Sequence, residues 1–151
     1  YIDALETVQR RSTKILGLPC LRKYSYAERL RRLNLPTLTY RRARGDMIET
    51  YKMVHAVYNK EACPRLDFSV YGATRGHDLK LFKKDCNTTV RQNYFSNRVI
   101  NMWNALPMEV VHASSVNSFK NKLDKYCDAQ EFVFNYRADF KAGNRTGQSG
   151  F

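Results

Sequence analysis

Arginine side chains are the groups most able to do chemistry in this sequence, and they are concentrated in its first half. Residues 22–44 contain eight lysines and arginines but only one acid, Glu28. Clustered guanidinium groups bind phosphate oxygens through paired hydrogen bonds, so this region predicts a polyanion site. The candidate phosphate contacts are Arg29, Arg31, Arg32, Arg41 and Arg44.

Arg41 and Arg44 are the stronger candidates in this group. Arg42 lies four residues before Asp46, a spacing at which opposite charges pair on a helix. An ion pair with Asp46 would neutralise the charge of Arg42 and leave Arg41 and Arg44 available to bind a ligand. Arg44 is expected at the edge of the apolar stripe, with its aliphatic stem lying over apolar surface.

A second candidate group comprises Arg91, Tyr94 and Arg98, spaced i, i+3 and i+7 in a predicted helix. Two cations beside one aromatic ring could hold a nucleic-acid backbone and stack a base. The alternative is a surface row that only borders the core. The two interpretations stay open.

Catalytic and metal-binding patterns are absent from the sequence. It contains no G-x-S-x-G, H-E-x-x-H or phosphate-loop motif and no adjacent pair of aspartates. The segment Thr74–Asp78 resembles a catalytic loop, but a histidine and an aspartate in such a turn usually form local hydrogen bonds. The four cysteines and three histidines lack zinc-site spacing, and reduced cysteines are expected. We predict no cofactor, no metal and no enzymatic activity in this segment.

Composition limits the classes of partner. The 151 residues carry a net charge of +12 and include ten tyrosines and eight phenylalanines. A basic, tyrosine-rich domain favours nucleic acid first and an acidic membrane surface second, with a solvated basic face as the alternative. No apolar run approaches the ~18 residues of a membrane span, and no signal peptide is recognised. We therefore expect an intracellular protein, nuclear and cytoplasmic, and a piece of a longer polypeptide.

Hydrophobic periodicity predicts a mainly α fold with about five helices around one core. One or two short strands are expected between the long helix and the helix that contains Trp103, which is itself predicted to be core. Caps are expected at Thr37, at Ser115 and in a capping box from Ser25 to Glu28. The predicted helices are residues 1–16, 25–33, 37–59, 91–106 and 115–127, followed by a poorly ordered tail over 128–151.

The first predicted helix has an apolar face that is expected to pack inward. Glu6 and Arg10 are spaced to pair on its polar side. If that apolar face is left bare, a protein neighbour is missing. The face consists of Ile2, Leu5, Val8, Ile15 and Leu16.

Five sequence blocks in order resemble one family. They are LETVQRRSTKIL, SYAERLRRLNLPTLTYRRARGDMIETYKMV, TRGHDLKLFK, YFSNRVINMWNALPMEVV and SVNSFKNKLDKY. Together they resemble the region after the polymerase core in jockey/CR1-like non-LTR retrotransposon (LINE-type) reverse transcriptases. The resemblance covers residues 1–127, and residues 128–151 match nothing recognisable.

This resemblance implies a role within a larger polymerase. Its parent would be an RNA-directed DNA polymerase that performs target-primed reverse transcription. The segment itself would be a non-catalytic domain over residues 1–127 that contacts RNA or an RNA–DNA duplex and the polymerase core, with no small-molecule substrate. The alternatives are a purely structural brace for the polymerase thumb and a non-functional transposon relic. A helix-turn-helix reader is less favoured, because Tyr40 and Ala43 lie on the apolar stripe of the basic helix.

Overall fold

Helices form where the periodicity of apolar residues predicts them, and the mainly α class is confirmed. The computed structural model describes residues 2–15, 19–70 and 76–140. Five of the helices have eight residues or more, and two are single turns. Short 3-10 helices cover Pro19–Lys23, Lys60–Ala62 and Glu131–Val133. The α-helices are α1 Ile2–Ile15, α2 Tyr26–Leu33, α3 Leu38–Val54, α4 Thr89–Gln92, α5 Phe95–Ala105, α6 Met108–Val111 and α7 Val116–Asp128.

Side-chain caps begin α2, α3 and α7, as predicted. Ser25 and Glu28 form a complete capping box at α2. The Thr37 hydroxyl accepts a hydrogen bond from the Tyr40 amide at 3.1 Å, and Ser115 makes the equivalent bond at the start of α7. Each bond satisfies an amide that has no partner within its helix.

The long helix α3 ends earlier than its predicted limit at residue 59. Ala56 has a left-handed backbone, with φ of 53°. The Val57 amide donates to the Lys52 carbonyl at 2.8 Å, and the Ala56 amide donates to the Met53 carbonyl at 3.2 Å. These two bonds form a Schellman motif, which stops α3 at Val54. The position of Ala56 in that motif is one that glycine usually fills.

Replacing Ala56 with glycine should therefore stabilise the protein. Glycine adopts the left-handed conformation without the steric cost that a Cβ imposes, so we expect a gain of about 0.5–1 kcal/mol in the free energy of unfolding. Urea denaturation followed by circular dichroism measures this gain. Ala62→Gly, at an exposed site outside the motif, is the control and should not stabilise. A loss of stability in Ala56→Gly would contradict the assignment of this turn.

The chain divides into two compact units, each described separately. The described part of unit 1 comprises residues 2–15, 19–45 and 124–140, and that of unit 2 comprises residues 46–70 and 76–123. Each unit has its own set of buried apolar side chains. Helices α3 and α7 contribute residues to both units.

Helix α1 in unit 1 buries the face opposite to the one that was predicted to pack inward. Its buried side chains are Glu6 and Thr13. The Glu6 carboxylate accepts hydrogen bonds from the Tyr26 hydroxyl at 2.7 Å and from the Thr39 amide at 3.0 Å. It forms no salt bridge with Arg10 among the described residues, so that predicted pair is wrong. The apolar residues face outward instead, with exposed fractions of 47% for Ile2, 46% for Leu5, 63% for Val8 and 76% for Ile15; Leu16 lies outside the described residues.

Residues 129–140, in the first part of the predicted tail, belong to unit 1 and make side-chain contacts within it. Phe132 is buried and meets the Tyr40 ring edge-on, with 6.0 Å between centroids. The Val133 carbonyl accepts a 2.9 Å hydrogen bond from the Thr37 amide. Phe140 contacts Tyr126 at 5.9 Å between ring centroids. The rest of the predicted tail, residues 141–151, lies outside the described residues.

Trp103 lies at the centre of unit 2, which confirms its predicted place in the core. Its indole is fully buried, and Nε1 donates a 2.8 Å hydrogen bond to the Leu79 carbonyl. Phe119 lies 6.2 Å from the indole between ring centroids and stacks on Tyr51 at 4.4 Å. The aromatic residues of three separate helices therefore form one continuous cluster.

The predicted β element of unit 2 is reduced to a single antiparallel bridge between Phe68 and Leu81. Two backbone hydrogen bonds flank it, from the Ser69 amide to the Lys80 carbonyl at 2.8 Å and from the Phe82 amide to the Asp67 carbonyl at 2.7 Å. No strand extends from this bridge within the described ranges. Residues 71–75, between the two sides of the bridge, lie outside them.

Candidate nucleic-acid interface

Arg29 is buried inside unit 1, contrary to the prediction that it faces solvent. Only 3% of it is exposed. Its guanidinium donates to the Tyr24 carbonyl at 2.6 Å and to the Thr13 hydroxyl at 3.3 Å. These bonds join α2 to Thr13 of α1 and to Tyr24, so Arg29 has a structural role and no free N–H edge for a phosphate.

Arg31 and Arg32 are exposed on α2, as predicted. The Arg32 guanidinium lies 3.8 Å from the centre of the Tyr24 ring. Arg31 lies 5.7 Å from the centre of the Phe134 ring. Stacking on a ring restrains a guanidinium while leaving its N–H edge free to donate. Tyr24 and Phe134 are not among the residues predicted from the sequence, although an aromatic residue near an arginine cluster is the signal that could have identified them.

Arg44 is engaged in an ion pair with Asp124 rather than lying over apolar surface. Its Nε and Nη2 donate to the two carboxylate oxygens at 2.5 and 2.7 Å. The Tyr40 hydroxyl also contacts Asp124, at 3.4 Å. Hydrogen bonding to Asp124 raises the pKa of Arg44, and burial raises the pKa of Tyr40. This bidentate pair makes Arg44 a weaker phosphate candidate than the sequence suggested.

Arg41 and Arg42 are both exposed on α3. In the described part of the chain, neither forms a salt bridge, and no hydrogen bond to either guanidinium occurs. The predicted pairing of Arg42 with Asp46 is wrong, because Asp46 binds Arg98. Arg42 is therefore as available to a ligand as Arg41.

A cleft of about 500 Å³ opens on unit 1 beside Arg41. Phe134 and the Arg44–Asp124 pair lie in its wall, and Asp128 lines it as well. Its volume is in the range of small-ligand sites. Arg41 lines the cleft, and a second exposed arginine, Arg31, lies over the Phe134 ring that forms part of its wall. We call it the unit 1 cleft.

Arg91, Tyr94 and Arg98 do not form a helical row, because the predicted helix over 91–106 is broken. Arg91 is exposed in the single turn α4, and Tyr94, 61% exposed, is the residue that precedes α5. Arg98 donates to both oxygens of Asp46, at 2.9 and 2.8 Å, and this hydrogen bonding raises the pKa of its guanidinium. Arg91 and Tyr94 remain accessible, whereas Arg98 is engaged.

His77, from the loop that resembled a catalytic turn, is a core side chain of unit 2. It is fully buried, and its Nε2 lies 3.0 Å from the Trp103 carbonyl. Its Nδ1 has no hydrogen-bond partner within the described residues. Burial lowers the pKa of His77, so the neutral imidazole is the form that the fold accommodates. Thr74 and Arg75 of the same loop lie outside the described residues.

The buried His77 should make the protein sensitive to mild acid. Its pKa is lower in the folded state than the ordinary value of 6.5, so the unfolded chain binds the proton more tightly. The contribution of neutral His77 to the free energy of unfolding is complete above pH 6.5. It is lost as the pH falls below 6.5, by at most about 1.4 kcal/mol per pH unit. Urea denaturation at several pH values measures the slope. His77→Gln, which cannot titrate, should flatten it, and an unchanged slope would contradict the assignment.

Neither a metal site nor a membrane-spanning helix is found in the part of the chain that the structure describes. No group of three histidine, cysteine or acidic side chains there could hold a metal ion. No helix within the described ranges is long and apolar enough to cross a membrane. Cys20, Cys63, Cys86 and Cys127 are all free thiols.

Comparisons with protein-family models, curated proteins and solved structures found no match to this chain.

Proposed function

We propose that this chain is a non-catalytic nucleic-acid-binding segment of a non-LTR retrotransposon reverse transcriptase. The observation that carries the binding proposal is the exposure of Arg31, Arg32 and Arg41 on unit 1. None of the three forms a salt bridge with a described acidic side chain. Unpaired arginines are the groups that gain most from a phosphate backbone, because binding also releases the counterions of the nucleic acid.

The net charge of the first half supports the same proposal. Residues 1–60 carry thirteen lysines and arginines against five acidic residues, a net charge of +8. A polyanion is attracted to this region before any specific contact forms. The stacked geometry of Arg32 on Tyr24 then reduces the entropy that the side chain loses on binding a phosphate.

The proposed contact residues change from those that the sequence suggested. Arg31, Arg32 and Arg41 lead, and Arg91 with Tyr94 form a secondary group. Arg42 is as exposed as Arg41, but it does not line the unit 1 cleft and lies over no described aromatic ring. Arg29, Arg44 and Arg98 are set aside, because each guanidinium already donates to a protein acceptor at 2.9 Å or less. The parent polymerase and its RNA or RNA–DNA duplex substrate follow from the sequence resemblance alone.

Direct binding measurements test this proposal. Fluorescence anisotropy of labelled 20-nucleotide RNA and of an RNA–DNA hybrid should show saturable binding by the isolated chain in 50–100 mM salt, where phosphate contacts are strong. A neutral polymer-conjugated dye of similar size is the control ligand. Absence of saturable binding to either nucleic acid in that range would reject the proposal.

The exposed apolar face of α1 favours a second function, that of a structural brace for the parent polymerase. Val8 and Ile15 are each more than half exposed on one side of a single helix. A contiguous apolar surface of this kind indicates a protein neighbour. In this alternative, α1 packs against the polymerase core of the parent chain, and the arginines of α2 and α3 face acidic protein.

Substitutions on α1 separate the two functions. Val8→Glu with Ile15→Glu should change the free energy of unfolding by less than about 0.5 kcal/mol, because both side chains are exposed. The double variant should lose association with the separately expressed polymerase core if α1 is the brace. Val90→Glu, at an exposed apolar residue of unit 2, is the matched control. Association that survives the double substitution would exclude α1 as the docking face.

A further inference from the structure

The unit 1 cleft has walls suited to a flat polar ligand. Phe134 supplies a half-buried aromatic ring, and Pro36 adds apolar surface. Arg41 lies at the same cleft with an exposed guanidinium. At about 500 Å³, the cleft is large enough for a nucleobase with its sugar. An aromatic ring beside a free arginine is the arrangement in which a base stacks while its phosphate is neutralised.

The two carboxylates of the cleft differ in their availability. Asp124 is held by Arg44 through both of its oxygens. Asp128 is exposed, and no salt bridge or side-chain hydrogen bond to it occurs in the described part of the chain. An ionised carboxylate only accepts hydrogen bonds. Asp128 therefore favours a ligand edge that donates, and it repels a phosphate or a carbonyl.

These features together exclude a duplex as the occupant. In a duplex both faces of each base are stacked, and the edge that carries the amine is already paired. An unpaired base presents one face to the side of the Phe134 ring that Arg31 does not cover, and a free edge to Asp128. The phosphate that follows it can remain at the rim of the cleft, beside Arg41 and away from the carboxylate.

We propose that the unit 1 cleft holds one unpaired base of a single strand and prefers cytosine to uracil. The base stacks on Phe134, and its exocyclic amine donates to Asp128. Cytosine and uracil have the same size, but cytosine carries an N4 amine where uracil carries an O4 acceptor. This inference deepens the proposed function and depends on it, since it names the strand form and the base that the arginine surface receives.

Matched oligonucleotides test the inference. Binding of 12-nucleotide oligo(C) and oligo(U) RNA is compared with binding of a duplex of equal length, in the same salt. We expect the wild-type chain to bind oligo(C) about tenfold more tightly than oligo(U), the size of one base-edge discrimination. Asp128→Asn should bring that ratio close to one, because an amide can both donate and accept.

A second substitution separates stacking from charge. Phe134→Leu keeps apolar bulk but loses the aromatic face, so oligo(C) binding should weaken about five- to tenfold. Duplex binding loses only the restraint that the ring places on Arg31, so it should weaken less than about twofold. Phe95→Leu is the matched control, because Phe95 is also half-buried beside an arginine, Arg98, but lies in unit 2. Thermal unfolding of each variant verifies that it is folded.

Each outcome has a defined meaning. Oligo(C) preference that is lost in Asp128→Asn and weakened in Phe134→Leu supports the cleft site. Equal binding of oligo(C) and oligo(U), or Phe134→Leu binding like the wild type, overturns it while leaving general nucleic-acid binding intact. Failure to bind single strands and duplexes alike rejects the proposed function itself.

Discussion

Trp103→Ala should lower the free energy of unfolding by about 3–5 kcal/mol, the range for truncating a buried aromatic side chain. The indole is fully buried and contacts both His77 and Phe119. Its removal leaves a cavity in unit 2 and also orphans the Leu79 carbonyl, which now accepts the indole N–H. A loss of this size approaches the whole stability of many small domains, so the variant is expected to be marginally folded.

Circular dichroism during urea denaturation measures this loss without relying on tryptophan fluorescence. Trp103→Phe should lose less stability than Trp103→Ala, because it keeps an aromatic ring. It loses the indole hydrogen bond but only part of the side-chain volume. Met108→Ala, at a residue that is 53% exposed, is the control and should change stability by less than about 0.5 kcal/mol. A loss below about 1 kcal/mol in Trp103→Ala would show that the aromatic cluster is not the core of unit 2.

Arg31→Glu with Arg41→Glu should weaken nucleic-acid binding about 100-fold, equivalent to about 2.7 kcal/mol. Both arginines are exposed; Arg41 lines the unit 1 cleft, and Arg31 lies over the Phe134 ring in its wall. Charge reversal removes two phosphate contacts and adds repulsion of the backbone, so the effect should be similar across sequences. Because neither side chain forms a described salt bridge, the fold should be little affected.

The control for this experiment must change the net charge equally. Arg65→Glu with Lys122→Glu alters two exposed cations of unit 2 and leaves unit 1 intact. We expect this control to weaken binding only a few-fold, through the overall field of the protein. Equal losses in the two double variants would mean that total charge matters and that the arginines of unit 1 form no site.

Helices and their caps could be predicted because their determinants are local. The hydroxyl of Thr37 and the Ser25–Glu28 box act within one turn of the helix that they start, so spacing alone identifies them. The early end of α3 was missed for an equally local reason. Its left-handed position is occupied by Ala56, and alanine gives no stop signal of the kind that glycine would.

The orientation of α1 could not be predicted from its sequence. An amphipathic pattern shows that two faces differ, and the usual assumption is that the apolar face is buried. Here Glu6 is buried instead, because the Tyr26 hydroxyl and the Thr39 amide satisfy its carboxylate. Those partners lie 20 and 33 residues away in the chain, beyond the reach of any pattern within the helix.

The engaged arginines were missed for the same physical reason. Arg44 pairs with Asp124 across 80 residues, and Arg98 pairs with Asp46 across 52. Spacing within a helix reveals only pairs three or four residues apart, so neither partner was visible. Phe134 lies in the segment predicted to be a poorly ordered tail, and for that reason the cleft that it lines was not anticipated.

The salt dependence of RNA binding tests the central claim most directly. Three phosphate contacts, by Arg31, Arg32 and Arg41, predict that the logarithm of the association constant falls against the logarithm of salt concentration with a slope of about −2 to −3. Arg31→Glu with Arg41→Glu should reduce this slope to about −1. Binding that is absent at 50 mM salt, or a slope that the double substitution leaves unchanged, would contradict a nucleic-acid site built from these arginines.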